Sequence, residues 1–197
     1  MRPPSRLAAA FLAAASLILA SVAAVSVSAT VPARADVVPE PEDYRGPPYR
    51  APVPATLVGA SVLTTAEAKA LWEMKAALFV DTLPTPKRPA NLPEGTLWRA
   101  PPREDVPGSV WLANTGYDRL STEMDAYYTA ALAEITHGDA DAPLVFYCLS
   151  ECWMSWNAAR RALEYGYTNV SWYPEGTDGW SNSGLPLEHR EPYELTR

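Results

Sequence analysis

The chain has 197 residues, a length that predicts one domain of ordinary size, and its formal net charge is −7. This acidic balance disfavours nucleic acid and anionic lipid as partners. It fits a basic partner or simply solubility.

The N-terminal stretch has the pattern of a secretory signal peptide over residues 1–35. A basic start precedes an apolar, alanine-rich run over residues 7–29, and Ala33-Arg34-Ala35 forms an A-x-A cleavage site before Asp36. The alternative is an uncleaved membrane anchor, because the apolar run is long enough to span a bilayer. We expect cleavage, which removes three arginines and no acid and changes the formal charge from −7 to −10. The mature protein is then expected in the periplasm and not in the membrane.

Residues 36–55 form a proline-rich arm that has no core-forming pattern. Its prolines favour an extended backbone: Pro39, Pro41, Pro47, Pro48, Pro52 and Pro54. Two interpretations stay open. The segment is either a lead-in arm that packs across the domain, with Tyr44 and Tyr49 as anchors, or a floppy spacer.

The next segment predicts a strand, a helix and a second strand. The first strand covers residues 56–63, and a T-x-x-E capping box that begins at Thr64 starts a helix running to about Lys75. The apolar run at residues 77–81 then predicts the second strand, which ends in Asp81.

The middle of the chain predicts a loop, a turn, a strand and a helix. A proline-rich loop covers residues 84–102 and leads to the sequence DVPGS at residues 105–109, which predicts a turn. Residues 110–113 form the strand after that turn. Ser121 begins a helix with apolar residues at helical spacing, and Gly138 ends it.

The stretch 144–180 holds both cysteines and four of the seven tryptophans. Leu144–Tyr147 is a short apolar run that predicts a buried strand. Ser155 is the predicted N-cap of a helix that runs to about Tyr165. Residues 169–173 predict the next strand.

A glycine-containing turn is expected at residues 176–179 and a short last turn near Leu187–His189, before an irregular tail at residues 191–197. Strands that alternate with helices indicate an α/β fold. We therefore predict a single domain over residues 56–190, with a mainly parallel central sheet flanked by helices.

The two cysteines are the candidate catalytic residues. Cys148 lies where a strand ends and a helix is about to begin, which is the edge at which α/β sheets bind ligands and where a thiolate is favoured. It is the candidate nucleophile, and Cys152 is its candidate resolving partner. Two alternatives stay open: a static structural disulfide, or a metal site in which Cys148, Cys152 and Met154 bind Cu(I).

Other residues complete the predicted loop and pocket. Those that follow the first cysteine form the loop: Leu149, Ser150, Glu151, Trp153, Met154 and Ser155. Asp81 ends a neighbouring strand, and Trp180 lies with Asp178 on the segment after the next strand, which faces the same edge. We assign Trp156 to the core and the Arg160-Arg161 pair to a solvated helix face.

The stretch 144–180 resembles a rhodanese-like domain, in which a strand delivers a catalytic cysteine to a tight loop before a helix. The matching positions are Ser155, Ala158, Ala159, Gly166, Tyr167, Asn169, Val170, Gly176 and Trp180. The cysteine loop is similar to that of the PQQ-dependent catabolism-associated CXXCW-motif proteins, with three residues between the cysteines here. The resemblance implies that Cys148 holds the position that carries a persulfide in sulfurtransferases. It also implies a role in PQQ-dependent alcohol catabolism, with a periplasmic redox protein or a PQQ-dependent dehydrogenase system as partner.

The loop departs from the sulfurtransferase pattern in its charge. Rhodanese-like loops carry an arginine five or six residues after the cysteine, where this chain has Trp153 and Met154, and Glu151 adds a negative charge. We therefore expect weak thiosulfate sulfurtransfer, since that substrate is an anion.

The function hypothesis is a periplasmic rhodanese-like thiol protein with sulfur-carrier or dithiol redox chemistry at Cys148 and Cys152. As an enzyme it would be sulfurtransferase-like or a thiol-disulfide oxidoreductase, and no cofactor is predicted for it. The alternative is a non-catalytic metal- or cofactor-binding maturation factor for a periplasmic quinoprotein dehydrogenase, with Cu(I) as the candidate metal.

Overall fold

The computed structural model describes residues 38–99 and 101–196, in which seven strands and four helices follow one another. In chain order these are β1 (Ser61–Val62), α1 (Thr65–Glu73), β2 (Leu78–Asp81), β3 (Arg103–Asp105), β4 (Val110–Trp111), α2 (Thr122–Ile135), β5 (Leu144–Tyr147), α3 (Trp153–Glu164), β6 (Val170–Tyr173), α4 (Gly176–Asn182) and β7 (Glu188–Arg190). Five strands form a parallel sheet in the order β1-β6-β5-β2-β4, and β3 pairs with β7 in an antiparallel ribbon.

Strand β5 lies at the centre of the parallel sheet, and all four of its residues are buried. Because successive side chains of a strand point to opposite faces, Leu144 and Phe146 pack on one face and Val145 and Tyr147 on the other. Helices α2 and α3 cover the first face, and α1 and α4 cover the second. The continuous apolar run suits burial on both faces. The predicted α/β fold is confirmed.

Two predicted helix starts are confirmed by their hydrogen bonds. The Thr64 and Glu67 residues form a reciprocal capping box, in which the Glu67 amide donates to Thr64 Oγ1 (3.3 Å) and the Thr64 amide donates to Glu67 Oε2 (2.8 Å). Ser121 Oγ accepts from the Met124 amide at 3.2 Å and caps α2.

The third predicted helix start is wrong. Helix α3 begins at Trp153, so Ser155 lies inside the helix, where its hydroxyl donates to the Cys152 carbonyl oxygen at 3.1 Å. The Glu151 backbone adopts a φ of 51°, a left-handed turn that ends the cysteine loop early. The sequence pattern assigned these residues to a longer loop.

Three further elements differ from the prediction. Strand β1 is much shorter than residues 56–63, the expected turn at residues 176–179 belongs to helix α4, and the expected turn near Leu187–His189 is strand β7. Glycines disfavour α4 locally, but Trp180 on this helix is fully buried, so tertiary packing overrides the local preference. Strand β7 depends on its distant partner β3, which local sequence patterns do not reveal.

The arm packs along α3 through hydrogen bonds from helix side chains. Asn157 Nδ2 donates to the Arg45 carbonyl oxygen and its Oδ1 accepts from the Arg45 amide, both at 2.9 Å. The Arg160 guanidinium donates to backbone carbonyl oxygens of the arm. Arg161 is 3% exposed and lies 4.2 Å from the centre of the Tyr44 ring, so the assignment of Arg161 to a solvated face is wrong. An extended proline-rich backbone forms no regular hydrogen bonds within itself. Side chains of α3 bind its backbone groups here instead.

The predicted signal peptide, residues 1–35, lies outside the described residues. Within residues 38–99 and 101–196, no helix has the length and hydropathy needed to cross a membrane.

Candidate functional site

The loop between β5 and α3 holds both cysteines, one at each end. Cys148 directly follows the strand, Cys152 directly precedes the helix, and their sulfur atoms form a disulfide with the Cα atoms 6.4 Å apart. The left-handed turn at Glu151 brings the two ends together. The structure therefore contains the predicted pair in its oxidised form.

The disulfide is buried in a small apolar cluster. Cys148 is 0% exposed and Cys152 is 5% exposed, and both pack with Met154. Half-buried side chains surround this cluster: Tyr49, Leu83, Tyr117 and Leu149. The Tyr49 and Tyr117 rings meet edge to face at 5.4 Å. A thiol from solution therefore cannot reach either sulfur atom without local movement.

The arm covers the cysteine loop with a short backbone bridge. The Trp153 amide donates to the Tyr49 carbonyl oxygen at 2.8 Å, and the Ala51 amide donates to the Glu151 carbonyl oxygen at 3.0 Å. Arg50 stands opposite Cys152 in this antiparallel bridge. An amide at a helix N-terminus is a usual anion donor, but the first amide of α3 is already bonded to the arm.

The N-cap position of α3 belongs to Cys152. Its side chain accepts no capping hydrogen bond, and the positive end of the helix dipole lies at this residue. The sequence analysis placed the N-cap at Ser155 and expected the favoured thiolate at Cys148. In the reduced protein the helix therefore favours a thiolate at Cys152 rather than at Cys148.

The backbone of Cys148 is fixed by helix α4. The Thr177 amide donates to the Cys148 carbonyl oxygen at 3.0 Å, and Thr177 Oγ1 contacts the same oxygen at 3.3 Å. Gly176 has a φ of 53°, and a Cβ there would lie 2.5 Å from the Cys148 carbonyl oxygen. Position 176 thus requires glycine both for its backbone angle and for space.

Beneath the loop, Arg103 joins the carboxylates of two strands. Its Nε donates to Asp81 Oδ2 at 2.6 Å, and its Nη2 lies 3.5 Å from the Cys148 carbonyl oxygen. Asp81, which the sequence analysis assigned to the pocket, is fully buried and also accepts from the Leu83 amide at 2.9 Å. Burial opposes the charge of Arg103, but the two nearby carboxylates outweigh it and raise the pKa of this guanidinium. Asp81 therefore supports Cys148 through Arg103.

Asp105 completes this buried group of charges. Its Oδ1 lies 3.0 Å from Arg103 Nε, but the single hydrogen on that nitrogen is directed to Asp81, and neither oxygen of Asp105 accepts a hydrogen bond. Burial raises the pKa of Asp105 to about 9, together with the negative charge of Asp81 and the hydrogen bond that the protonated Asp105 donates to Asp81. At neutral pH the cluster thus holds a proton on Asp105.

A second polar group holds the exposed side of the loop. Asp178 Oδ2 accepts from the Ser150 amide (3.2 Å), from Ser150 Oγ (2.8 Å) and from Arg50 Nη2 (2.7 Å). Burial works against the charge of Asp178, but these hydrogen bonds outweigh it and lower its pKa. Asp178 therefore ties the loop to α4 and to the arm.

The model of the rhodanese-like domain matches residues 64–183 of the chain. The chain belongs to the rhodanese-like domain family. Solved structures with a similar fold include thiosulfate sulfurtransferase from Pseudomonas aeruginosa, with 20% identity over 68% of this chain and 21% of that chain and a TM-score of 0.45. Another is the polysulfide-sulfur transferase homodimer from Wolinella succinogenes, with 18% identity over 71% of this chain and 85% of that chain and a TM-score of 0.42. No curated protein matches the chain.

Two predicted pocket residues of this rhodanese-like domain lie elsewhere. Trp180 is fully buried against Trp72 and Phe79 in the core on the α1 side, so its assignment to the pocket rim is wrong. Trp153 packs against Trp156, and its indole nitrogen donates to the Pro52 carbonyl oxygen at 3.1 Å. Trp153 therefore anchors the arm and packs in the core on the side of α2 and α3.

The sequence analysis missed three charged residues of the site: Arg50, Arg103 and Asp105. It found no cation at the two positions where the family carries one, and the structure supplies Arg50 from the arm and Arg103 from β3 instead. The place of Asp81 at the end of an apolar, buried strand was the one available signal, because a buried carboxylate needs a cation from another segment.

The candidate Cu(I) ligands lie together. Cys148, Cys152 and Met154 share one buried cluster, and their soft sulfur donors suit Cu(I) once the disulfide has been reduced. Residues 38–99 and 101–196 contain no group of three or more His, Cys, Asp or Glu side chains that could hold a metal ion.

Proposed function

We propose that the protein is a periplasmic rhodanese-like thiol protein in which Cys148 and Cys152 cycle between a disulfide and two thiols. The observation that carries this proposal is the disulfide itself, formed between the loop cysteine of the family and a second cysteine four residues later. The occupied amide of Trp153 further disfavours an anionic sulfur donor. Participation in PQQ-dependent alcohol catabolism is the process we assign to it, by resemblance of the loop.

The two cysteines have different roles in the proposed exchange reaction: Cys148 is attacked and Cys152 leaves as a thiolate. A partner thiolate attacks Cys148 Sγ, and the Cys148–Cys152 bond breaks with its electron pair on Cys152, where the helix N-terminus favours a thiolate. The second partner thiol then displaces Cys148 from the mixed disulfide. The partner is oxidised to a disulfide, and two electrons and two protons pass to the cysteine pair.

Serine variants test this division of roles. Cys152→Ser leaves a mixed disulfide on Cys148 that cannot be resolved, so covalent complexes should accumulate, whereas Cys148→Ser should trap few. Trapping should be measured by non-reducing electrophoresis and mass spectrometry after mixing each variant with an oxidised protein that carries a disulfide, which the remaining thiolate attacks with release of a partner thiolate. Equal trapping by both variants would contradict the roles. Robust thiosulfate:cyanide sulfurtransfer, lost in Cys148→Ser, would contradict the redox proposal.

The clustering of three sulfur donors supports a second candidate function, a Cu(I)-binding maturation factor for a quinoprotein dehydrogenase. One copper ion bound per reduced chain, and released by Met154→Leu without loss of the fold, would favour this function. Absence of stoichiometric binding would favour the dithiol protein.

Export is a separate part of the proposal. N-terminal sequencing of the protein from the periplasm should begin at Asp36. A chain that retained Met1 would contradict the periplasmic assignment.

A further inference from the structure

Arm residues 49–52 make contacts of the kind that a bound peptide makes. The bridge to the cysteine loop uses one backbone donor and one backbone acceptor of the arm, in the antiparallel arrangement by which a protein adds an extended peptide to a strand edge. We propose that this segment fills the place of a partner polypeptide, and that the site accepts an extended, cysteine-bearing segment of a dithiol protein after the arm segment has moved away. The inference rests on the proposed dithiol function.

Access to the disulfide requires this movement. Both cysteines are at least 95% buried, and Tyr49 of the arm is one of the side chains that cover them. A thiolate must contact sulfur to attack it. The closed arm therefore protects the disulfide from general reductants.

The segment can move while the rest of the arm stays attached, because hydrogen bonds to α3 hold the arm on both sides of it. On one side Asn157 holds Arg45 by two hydrogen bonds, and on the other Trp156 Nε1 donates to the Thr56 carbonyl oxygen at 3.2 Å. Between these anchors the Arg50–Asp178 ion pair is exposed, and exposed pairs contribute little stability.

The vacated surface matches an extended chain with a basic residue. It would present the amide and indole N–H groups of Trp153 and the carbonyl oxygen of Glu151, in the spacing that the arm now satisfies. The carboxylate of Asp178 lies beside them and now binds Arg50. We infer that the partner segment carries a lysine or arginine near its reactive cysteine.

We call the control of access by arm residues 49–52 the gate. The rate at which the disulfide is reduced tests this gate in the full exported chain. Ala51→Pro removes the amide that donates to Glu151, and reduction by dithiothreitol should become about tenfold faster. Ala55→Pro introduces the same residue into the same arm at an amide that donates to no protein atom among the described residues, and its rate should stay within about twofold of the wild type. Equal rates for the two proline variants, with unchanged melting curves, would overturn the gate.

Tyr49 variants keep the test decisive if Ala51→Pro does not fold. Tyr49→Ala should accelerate reduction and Tyr49→Phe, which keeps the ring, should do so less. Equal rates for Ala and Phe would also contradict the gate.

A peptide tests the docking surface itself. A synthetic peptide with the sequence of residues 47–54, PPYRAPVP, should slow the reduction of the Ala51→Pro protein, and the same peptide with Arg50→Glu should slow it less. No protection by either peptide would overturn the docking site. The rate ratios above report on the arm alone. The dithiol function is tested separately: it would be refuted if the disulfide could not be re-formed after reduction in the wild type and in every variant.

Discussion

The two ends of the cysteine loop differ in what holds them. The Cys148 end is fixed by the core of the domain, through helix α4, Gly176 and the buried Arg103. The Cys152 end is covered by a segment of the arm whose Arg50 side chain is exposed. Under the proposed dithiol function, the fold positions one sulfur for reaction, and the arm controls access to the pair from the other end.

The largest effect is expected at the fixed end from Arg103→Met. This substitution leaves the Asp81 carboxylate buried without its cation and should lower the free energy of unfolding by about 3–5 kcal/mol. Urea denaturation measures the loss, with the exposed Arg119→Met as the control variant. A loss no larger than that of the control would show that the buried charges do not support the Cys148 end.

Gly176→Ala should rank second. Its Cβ would clash with the Cys148 carbonyl oxygen, and the left-handed φ adds strain, so we expect a loss of about 2–4 kcal/mol. Gly184 is the matched control, because its φ is 72° and a Cβ there has no neighbour within 4 Å. If Gly184→Ala were equally destabilising in urea, backbone strain alone would account for the effect.

Asp105 predicts a pH dependence of stability at the same end. The unfolded chain releases this proton near the ordinary pKa of 3.8, whereas the folded protein keeps it until about pH 9. The stabilisation is therefore complete below about pH 4 and is lost progressively as the pH rises to about 9, by at most about 1.4 kcal/mol per pH unit. Asp105→Asn should flatten the decline in urea midpoints measured between pH 6 and pH 9. An unchanged slope would mean that another group carries the proton.

The smallest effect is expected within the loop, from Glu151→Gly. Glycine relieves the left-handed strain at φ 51° but loses more entropy on folding, so the net gain should be about 0.5–1 kcal/mol. Glu151→Ala keeps the strain and serves as the control in thermal melts. A gain from alanine equal to that from glycine would point to the charge of Glu151 instead.

The sequence could predict the elements that depend on neighbouring residues, and it could not predict the contacts between distant segments. Local patterns identified β5, the capping box at Thr64 and the two cysteines, because each of these depends on neighbouring residues. The start of α3 was misplaced at Ser155 because it depends on a single left-handed residue. Arg103 reaches Asp81 from a ribbon whose two strands are far apart in sequence, so no local pattern could reveal the pair.

The arm illustrates the other limit of sequence reasoning. Its prolines predicted an extended backbone, but two interpretations of its packing remained. Its contacts with Asn157 and with the amide of Trp153 depend on helix α3, and neither partner is recognisable from the arm alone. The cover over the disulfide could therefore be found only in the folded chain.

A redox titration of the native protein tests the central claim most directly. The exported chain should be equilibrated in dithiol–disulfide buffers of defined potential, and its thiols should be counted by alkylation and mass spectrometry. We predict a reversible two-electron transition between no free thiol and two, with the fold retained on both sides. A pair that stays oxidised until the protein unfolds would contradict this account and would identify a structural disulfide.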